Sequence, residues 1–458
     1  MEKYKNIGIV GFGREGKAVY EYFKDTVASF NIFDMKSIDE SGLNMQNINI
    51  YTGNDYKYKI LENIDNLDVI FRGPGTPLWD IEDKIPQEKL QTVSNYFFQY
   101  CKANDIKIIG VTGTKGKGTT ATLIYEILKA DRRDAYLLGN IGEPALETIP
   151  KLKNDTIVVY EMSSFQLYDI KSSPDIAVCL LITEDHLDWH KDINQYREAK
   201  NNIFRFQKEN DKAVYYADNI YSRKFGLNSP AKNKISYGKS FNNTVNIIDD
   251  YFTYNGHKII NKNYVKLPGK HNEQNILAAI GATYDIVRTD SIIEVLRSFS
   301  GLPYHIENIG TFNDITFFND SFSVNPTSTI VAIESMTGPT TLIVGGVDRN
   351  IDVNPLIQSF ESNKIEKIII YGAIANRLFS EIRAKSIQAK IIKVIKSCNL
   401  TNEEYFKAVF NSALSVTDKG HNILFSPSAA SFDMFTNYIK RGEDFNKLFT
   451  NLKSSIKY

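Results

Sequence analysis

A chain of 458 residues exceeds what one ordinary hydrophobic core organises, and length alone suggests about three domains. Its 54 basic and 54 acidic residues cancel, so nothing favours a nucleic-acid partner or an anionic membrane surface. The longest apolar run, Ile176 to Ile182, is far too short to span a bilayer, and the chain enters a strand-like run by Ile7, which leaves no room for a signal peptide.

Residues 1–95 read as a first α/β unit. Ile7 to Val10 predicts a strand, Gly11-Phe12-Gly13-Arg14-Glu15-Gly16 a glycine turn, Lys17 to Phe23 the start of a helix, and Ser29 to Asp34 a second strand ending in an acid. This is a dinucleotide-type fingerprint with Asp34 near the expected offset; the same turn serves any ligand with a diphosphate.

Residues 96–300 form the second block. Ile106 to Val111 predicts a strand, and the helical spacing of Leu123, Ile124, Ile127 and Leu128 follows Gly113-Thr114-Lys115-Gly116-Lys117-Gly118-Thr119-Thr120. A strand, a glycine-rich turn and a helix N-terminus aim backbone N–H groups at one spot, which suits the phosphates of ATP. Lys117 would meet the outer phosphates, and the hydroxyl of Thr119 or Thr120 could hold Mg²⁺. The spacing is unusual, because Gly118 intervenes before the hydroxyl. Further strands are expected at Ala135–Leu138, Thr156–Tyr160 and Ile176–Ile182, giving a parallel, doubly wound sheet. Asn255-Gly256 between Tyr251–Tyr254 and His257–Ile260 predicts a type I′ hairpin in a small β appendage. From 301 to 458 the alternation restarts, with strands at Ile315–Phe318, Thr341–Val344, Lys367–Tyr371 and Asn422–Phe425.

Polar residues gather where strands end. Glu161 follows one strand, either as a Walker-B type acid for Mg²⁺ or as a solvated strand end. Thr183-Glu184-Asp185-His186-Leu187-Asp188-Trp189-His190 follows another, and reads equally as metal ligation or as a helix-capping turn. Tyr196, Lys200 and Phe204 share one helix face, with Asp192 as N-cap; a lysine there would ordinarily be solvated. The cysteines Cys101, Cys179 and Cys398 are widely spaced, as expected of reduced thiols in a cytoplasmic protein.

Taken together these stretches resemble the Mur ligase family, and within it the D-glutamate-adding branch. The resemblance adds Pro74-Gly75, Gly139-Asn140-Ile141-Gly142, Glu161 to Leu167, Leu267-Pro268-Gly269-Lys270-His271-Asn272 with Asn275, Asn319-Asp320-Ser321, Gly345-Gly346, Ser426-Pro427 through Ser431 and Asp433, and Arg441 to Phe445. It implies three α/β domains: a Rossmann-like UDP-binding domain, a central P-loop domain, and a C-terminal Rossmann-like domain for ATP and the amino acid. The implied activity is ATP-driven amide synthesis between UDP-N-acetylmuramoyl-L-alanine and D-glutamate, by a monomer needing two Mg²⁺. By resemblance Lys117 and the P-loop amides hold ATP, Thr119 and Glu161 carry one Mg²⁺, and His186 with a carbamylated Lys200 carries the other. Asn272, Asn275 and Asp320 would meet ATP. Gly11, Gly13, Arg14, Gly16, Asp34, Pro74, Gly75, Asn140, Ser163 and Gln166 would bind the UDP substrate, and Arg349, Ser431 and Tyr438 the amino acid.

The chain departs from the family at five places. Phe322 replaces a basic residue, Val324 a threonine, His305 an arginine in the Pro303-Tyr304-His305 hinge, Arg349 a lysine, and Gly73 a serine. Selectivity for D-glutamate is therefore the least certain expectation, and a related Mur or folylpolyglutamate-type ligase with another donor is the nearest rival. An NAD-dependent oxidoreductase would explain only the first block. A non-catalytic binding protein would fit the two lost cations.

Overall fold

Near-continuous apolar strands such as Ile157-Val158-Val159-Tyr160 need cover on both faces, which parallel sheets receive from their crossover helices. The computed structural model describes residues 4–40, 43–140, 142–186, 189–267, 269–349, 351–361, 364–385 and 387–454. Ile141, Leu187, Asp188 and Pro268 of the motifs above lie outside the described residues, as do the side chains of Lys270 and His271.

Among the described residues there are three sheets. The first comprises β1 (Asn6–Val10), β2 (Ser29–Asp34), β3 (Ile48–Thr52), β4 (Val69–Arg72) and β5 (Leu90–Gln91), all parallel, in the order β3-β2-β1-β4-β5. The order reverses between β1 and β4, the position at which doubly wound sheets open a ligand crevice.

The second sheet contains β6 (Lys107–Thr112), β7 (Ala135–Gly139), β8 (Ile157–Glu161), β9 (Ile176–Cys179), β10 (Lys212–Tyr216), β11 (Asn233–Tyr237), β12 (Val245–Ile248), β13 (Tyr251–Tyr254) and β14 (His257–Asn261). Its order is β14-β13-β12-β11-β10-β9-β6-β8-β7. The expected β appendage is the antiparallel run β12-β13-β14, joined edge-on to the parallel strands. Its Asn255-Gly256 turn has φ of 47° and 77°, the two positive values that a type I′ turn requires. The expected strand Ile176–Ile182 stops at Cys179, because beyond it the chain bonds the glycine loop instead: Leu180 N–H donates to Thr112 O and Thr114 N–H to Leu181 O.

One apolar core is shared by the first two sheets. Ile7, Phe71, Phe97, Ile108, Tyr160 and Ala177 belong to it, and the helix Val93–Ala103 lies across residue 95, where the sequence suggests a junction. That shared burial is why residues 1–299 form one compact unit and 300–458 a second.

The second unit carries β15 (Glu307–Phe312), β16 (Ile315–Asn319), β17 (Thr340–Gly345), β18 (Ile365–Tyr371), β19 (Lys390–Lys393) and β20 (Asn422–Phe425), ordered β15-β16-β20-β17-β18-β19. All are parallel except the β15–β16 hairpin. No helix among the described residues is long and apolar enough to cross a membrane.

Candidate functional site

Two glycine turns end the central strands of the first two sheets. After β1, Gly11 takes φ 83° and donates its N–H to Phe33 O; a side chain at Gly16 would place Cβ 2.3 Å from Gly11 O. Only glycine permits that approach of helix to turn. Asp34, at the tip of β2, accepts Phe12 N–H (2.8 Å) and Lys36 N–H (2.9 Å), so its carboxylate rivets the turn as well as facing the ligand space.

This turn opens onto a cavity of about 840 Å³ within the first unit. Gly11, Gly13, Arg14, Gly16, Asp34, Pro74, Gly75, Asn140 and Gln166 all line it, drawn from both sheets. Ser163 does not: its hydroxyl accepts Gln166 N–H (3.2 Å) in a capping box on the helix Ser164–Leu167. The sequence reading missed Glu15, which also lines the cavity, accepts a bond from Gln166 Nε2 (2.9 Å), and has a carboxyl raised by burial. It missed the buried Arg72 too, whose guanidinium grips Asp169 bidentately (2.7 and 2.8 Å) and donates to Phe165 O (2.9 Å). The charged pair inside Gly-Phe-Gly-Arg-Glu-Gly was the available signal for Glu15; Arg72 and Asp169 are 97 residues apart, and no local pattern joins them.

After β6 the second turn builds a phosphate-type nest. Gly116 caps the helix Lys117–Ala130 with φ 85°, and a Cβ there would lie 2.3 Å from Asn275 Oδ1. Thr114 is pinned by Tyr196 OH (2.7 Å) and by Thr183 N–H (3.0 Å). Thr120 is buried and its hydroxyl donates to Asn275 Oδ1 (3.3 Å), while Asn275 Nδ2 donates to Asn272 Oδ1 (2.8 Å). Thr120 is thus committed to packing, which leaves Thr119, half-buried in the first helical turn, as the hydroxyl available to a cation. Lys115 is exposed and Gly118 half-buried in that turn.

Three ionisable groups, Lys200 and Glu161 buried and Lys117 half-buried, surround the nest. Lys117 Nζ donates to Gly113 O (3.1 Å) and Thr114 O (3.0 Å), and burial lowers its affinity for a proton despite Glu161 and Asp185. Lys200, on the helix Ile193–Arg205, is fully buried rather than solvated; its Nζ donates to the same Gly113 carbonyl at 2.8 Å. Burial first, and the neighbouring Lys117 second, push its pKa well below the usual amine value. Glu161 is the last residue of β8, paired with Val111, so it is neither free of the strand nor solvated. Its Oε2 is buried with no hydrogen-bond partner, and burial raises its carboxyl against the pull of Lys117, Asn140 and Lys200. An orphaned carboxylate oxygen is a donor of the kind that suits Mg²⁺.

His186 is half-exposed at φ 53°, with Phe165 edge-on at 4.7 Å and Asp185 Oδ2 3.7 Å from Nε2. Its neighbour His190 is buried, bonded to Ser164 Oγ at 3.0 Å, with a pKa lowered to about 4 by burial and then by Lys200. The acidic stretch thus splits: His186 faces outward, His190 packs inward, and Asp192 caps the helix by accepting Gln195 N–H.

In the second unit, Asp320 is fully buried. Its carboxylate accepts Ser426 Oγ–H (2.6 Å) and Ile306 N–H (3.1 Å), and burial pushes its pKa up to about 7. Both partners belong to the second unit itself. Ser431 is buried, Tyr438 half-buried with its ring edge-on to Phe322 (5.3 Å), and Arg349 exposed over Phe432 (5.9 Å). Phe322 stacks on His305 at 4.9 Å. Glu366, Asp418 and His421 also bring ligand atoms within 4.8 Å of one another, but Lys367 already pairs with Asp418.

Residues 111–283 match the Mur ligase middle domain. The UDP-N-acetylmuramoylalanine–D-glutamate ligase of Clostridium kluyveri is 32% identical over 98% of this chain and 97% of its own length. That of Clostridium tetani is likewise 32% identical over the same shares. Among solved structures, the UDP-N-acetylmuramate–alanine ligase of Thermotoga maritima superposes with TM-score 0.58 at 16% identity, covering 99% of this chain and 100% of that one. A MurF ligase from Thermotoga maritima in complex with ADP gives 0.54 at 16%, covering 99% and 96%. At such identity these structures speak for the fold alone.

Proposed function

This chain belongs to the Mur ligase family, and from that premise we propose that it joins D-glutamate to UDP-N-acetylmuramoyl-L-alanine in the cytoplasm, at the expense of ATP. The observation that carries the reading is the pairing of a glycine nest with two desolvated amines and an unpartnered carboxylate oxygen, beside a cavity large enough for a nucleotide-linked sugar.

The chemistry follows from charge. A carboxylate resists nucleophiles because it is already anionic. When an oxygen of the alanyl carboxylate attacks the γ-phosphorus of ATP, ADP leaves and an acyl phosphate forms. The amine of D-glutamate then adds to the acyl carbon and loses a proton, and the tetrahedral intermediate expels inorganic phosphate. Each step crowds anions, so the protein's contribution is preorganised cations and N–H donors.

In this reading Lys117 leaves the Gly113 and Thr114 carbonyls for the β- and γ-phosphates, and the loop N–H groups from Gly113 to Thr120 cradle them. Asn272 and Asn275 brace that loop from behind. Thr119 and Glu161 would hold one Mg²⁺, and His186 with Lys200 a second; Mg²⁺ would supply charge neutralisation at the phosphates. Lys200 suits carbamylation because burial favours its free amine, whose nitrogen can attack CO₂ with loss of one proton. The carbamate is an oxygen ligand, which an ammonium cannot be. The cavity after β1 would take the UDP group, with Arg14 near the diphosphate and Gln166 and Asn140 toward the sugar. Arg349, Ser431 and Tyr438 would receive the amino acid.

A second donor is favoured by one observation. The stacked rings of His305 and Phe322 stand where the family has cations, and an aromatic face suits a less acidic amino acid than glutamate. The test is direct: ATP, UDP-N-acetylmuramoyl-L-alanine and single D- or L-amino acids are incubated with the chain, and products are read by mass. Phosphate release and ligation with D-glutamate support the first reading; ligation with another amino acid alone supports the second. ATP turnover in neither case sinks both.

A further inference from the structure

His190 lies outside every role assigned above, yet it is among the most tightly held polar side chains near the nest. It is 2% exposed, and its ring contacts Phe165 (5.8 Å, near-parallel), Trp189 (4.6 Å) and Tyr196 (5.4 Å). A polar ring in such surroundings needs a partner, because an unpaired buried donor or acceptor forfeits its bond with water. Nε2 finds one in Ser164 Oγ at 3.0 Å, itself 1% exposed, whereas Nδ1 is buried without a partner.

The two ends of this bond belong to different parts of the proposed site. Ser164 opens the helix whose N-cap is Ser163 and whose Gln166 reaches Glu15 in the cavity wall (2.9 Å). The same segment is fastened to the first sheet, where Arg72 holds Phe165 O and Asp169. At the other end, His190 N–H donates to the carbonyl of His186 (3.1 Å), as does Trp189 N–H (3.2 Å). His186 itself sits at φ 53°, a conformation that a non-glycine residue keeps only when its surroundings impose it. Tyr196, packed on the His190 ring, fixes Thr114 of the glycine loop at 2.7 Å. His190 therefore joins three things: the His186 turn, the cavity wall, and, through Tyr196, the nest.

We propose that His190 is a positioning residue for the ligation: its bond to Ser164 holds the His186 turn in register with the wall of the substrate cavity. The inference rests on the reading that the acceptor carboxylate lies between that cavity and the nest. Acyl transfer tolerates little displacement of carboxylate from phosphate, so loosening this joint slows the chemical step more than it weakens either substrate's binding.

The test is a set of variants on the full chain. His190→Leu removes the bond and keeps the apolar volume, His190→Gln keeps an N–H near the original Nε2 position, and Ser164→Ala removes the other partner. His190→Leu and Ser164→Ala should each lower kcat about tenfold, the worth of one buried hydrogen bond, with KM for ATP and for the UDP substrate changed less than twofold. His190→Gln should recover most of kcat. The double variant should be no slower than either single, because both remove the same bond. Melting temperature is recorded for every variant. Wild-type kcat in His190→Leu with a lowered melting temperature would make the bond merely structural and overturn the proposal, as would fully additive losses in the double variant. Wild-type protein that forms no amide product would instead refute the function reading. In that case nitrogen NMR of the imidazole, whose Nε2 shift should differ between wild type and Ser164→Ala whichever partner donates, would still decide whether the joint exists.

Discussion

The strand ends of the second and third sheets both bury ionisable groups, but they treat them in opposite ways. Around β6, Lys117 and Lys200 compete for one carbonyl, and Glu161 keeps an oxygen with no partner. Around β16, Asp320 is satisfied by Ser426 and Ile306, and the fully buried Arg441 by Ser321 and the carbonyl of Ala429 (2.8–3.0 Å). Lys200, Glu161, Asp320 and Arg441 are all buried; what differs among them is how far their polar atoms are satisfied. A protein keeps a charge desolvated and half-paired only where something else completes it, whereas a complete internal network specifies packing. In the function proposed above, ligand chemistry falls to the first cluster; in the second, Asp433 Oδ1 is likewise buried without a partner, so the contrast is one between Glu161 and the Asp320–Arg441 pair alone.

The largest effect that would break this contrast is at Lys117. Lys117→Ala removes the mobile cation facing the phosphates, and ADP formation should fall by at least about 10²–10³-fold, the cost of losing one preorganised charge partner. Its melting temperature should hold, since the ammonium it removes is poorly solvated in the free protein. Retained turnover would dissolve the difference between the two clusters. Lys200→Ala comes next. If a carbamate is the working species, activity should collapse and return in part with added formate or acetate, and stripping CO₂ from the buffer should slow the wild type reversibly. Rescue absent in the variant and indifference to CO₂ in the wild type would reduce Lys200 to a buried packing lysine.

How far the sequence carried these assignments depended on whether each determinant was local. Glycine turns, the N-cap at Asp192 and the Asn255-Gly256 turn are decided within a few residues, and the structure has them where the spacing puts them. Nine of the ten residues expected at the UDP group fall on one cavity, because strand-end motifs must converge when parallel strands align. What was not legible depends on partners far away in the chain. Lys200 reads as a solvated lysine until the β6 loop is laid against its helix. Asp320 reads as an open strand-end carboxylate until Ser426, 106 residues on, is seen to donate to it. That the Thr120 hydroxyl is bonded depends on Asn275, which the local motif does not contain.

A smaller effect tests the third sheet directly. The Asp320 carboxyl is raised by burial from 3.8 to about 7, so between those values the folded state binds a proton that the unfolded state has released. Its contribution to stability is therefore full below pH 4 and is lost as pH rises through 7. The loss is on the order of 4 kcal/mol. Asp320→Asn, which cannot ionise, should flatten this dependence: against wild type it should gain stability between pH 5 and pH 8, read from denaturation midpoints at the two values. An unchanged slope would mean that the folded protein does not hold the Asp320 carboxyl protonated, and the contrast between its satisfied network and Glu161 would fail.

The smallest effect lies at Arg349, where the third sheet should show ligand chemistry if it shows any. This side chain is exposed and rests on the Phe432 ring, so Arg349→Ala should leave stability within about 0.5 kcal/mol. Any consequence must then appear in the KM for the amino acid, expected to rise about tenfold for loss of one charge-assisted contact. Arg349→Lys separates two explanations, because lysine restores the charge without the planar fork. Recovery of the original KM would mean that arginine supplies only a charge, so its replacement of the family's lysine leaves selectivity as it was. A KM that stays high would mean that the fork itself grips a carboxylate, with Arg349 making up for a cation missing at Phe322. Unchanged KM in both variants would leave the third sheet's exposed charge as inert as its buried ones.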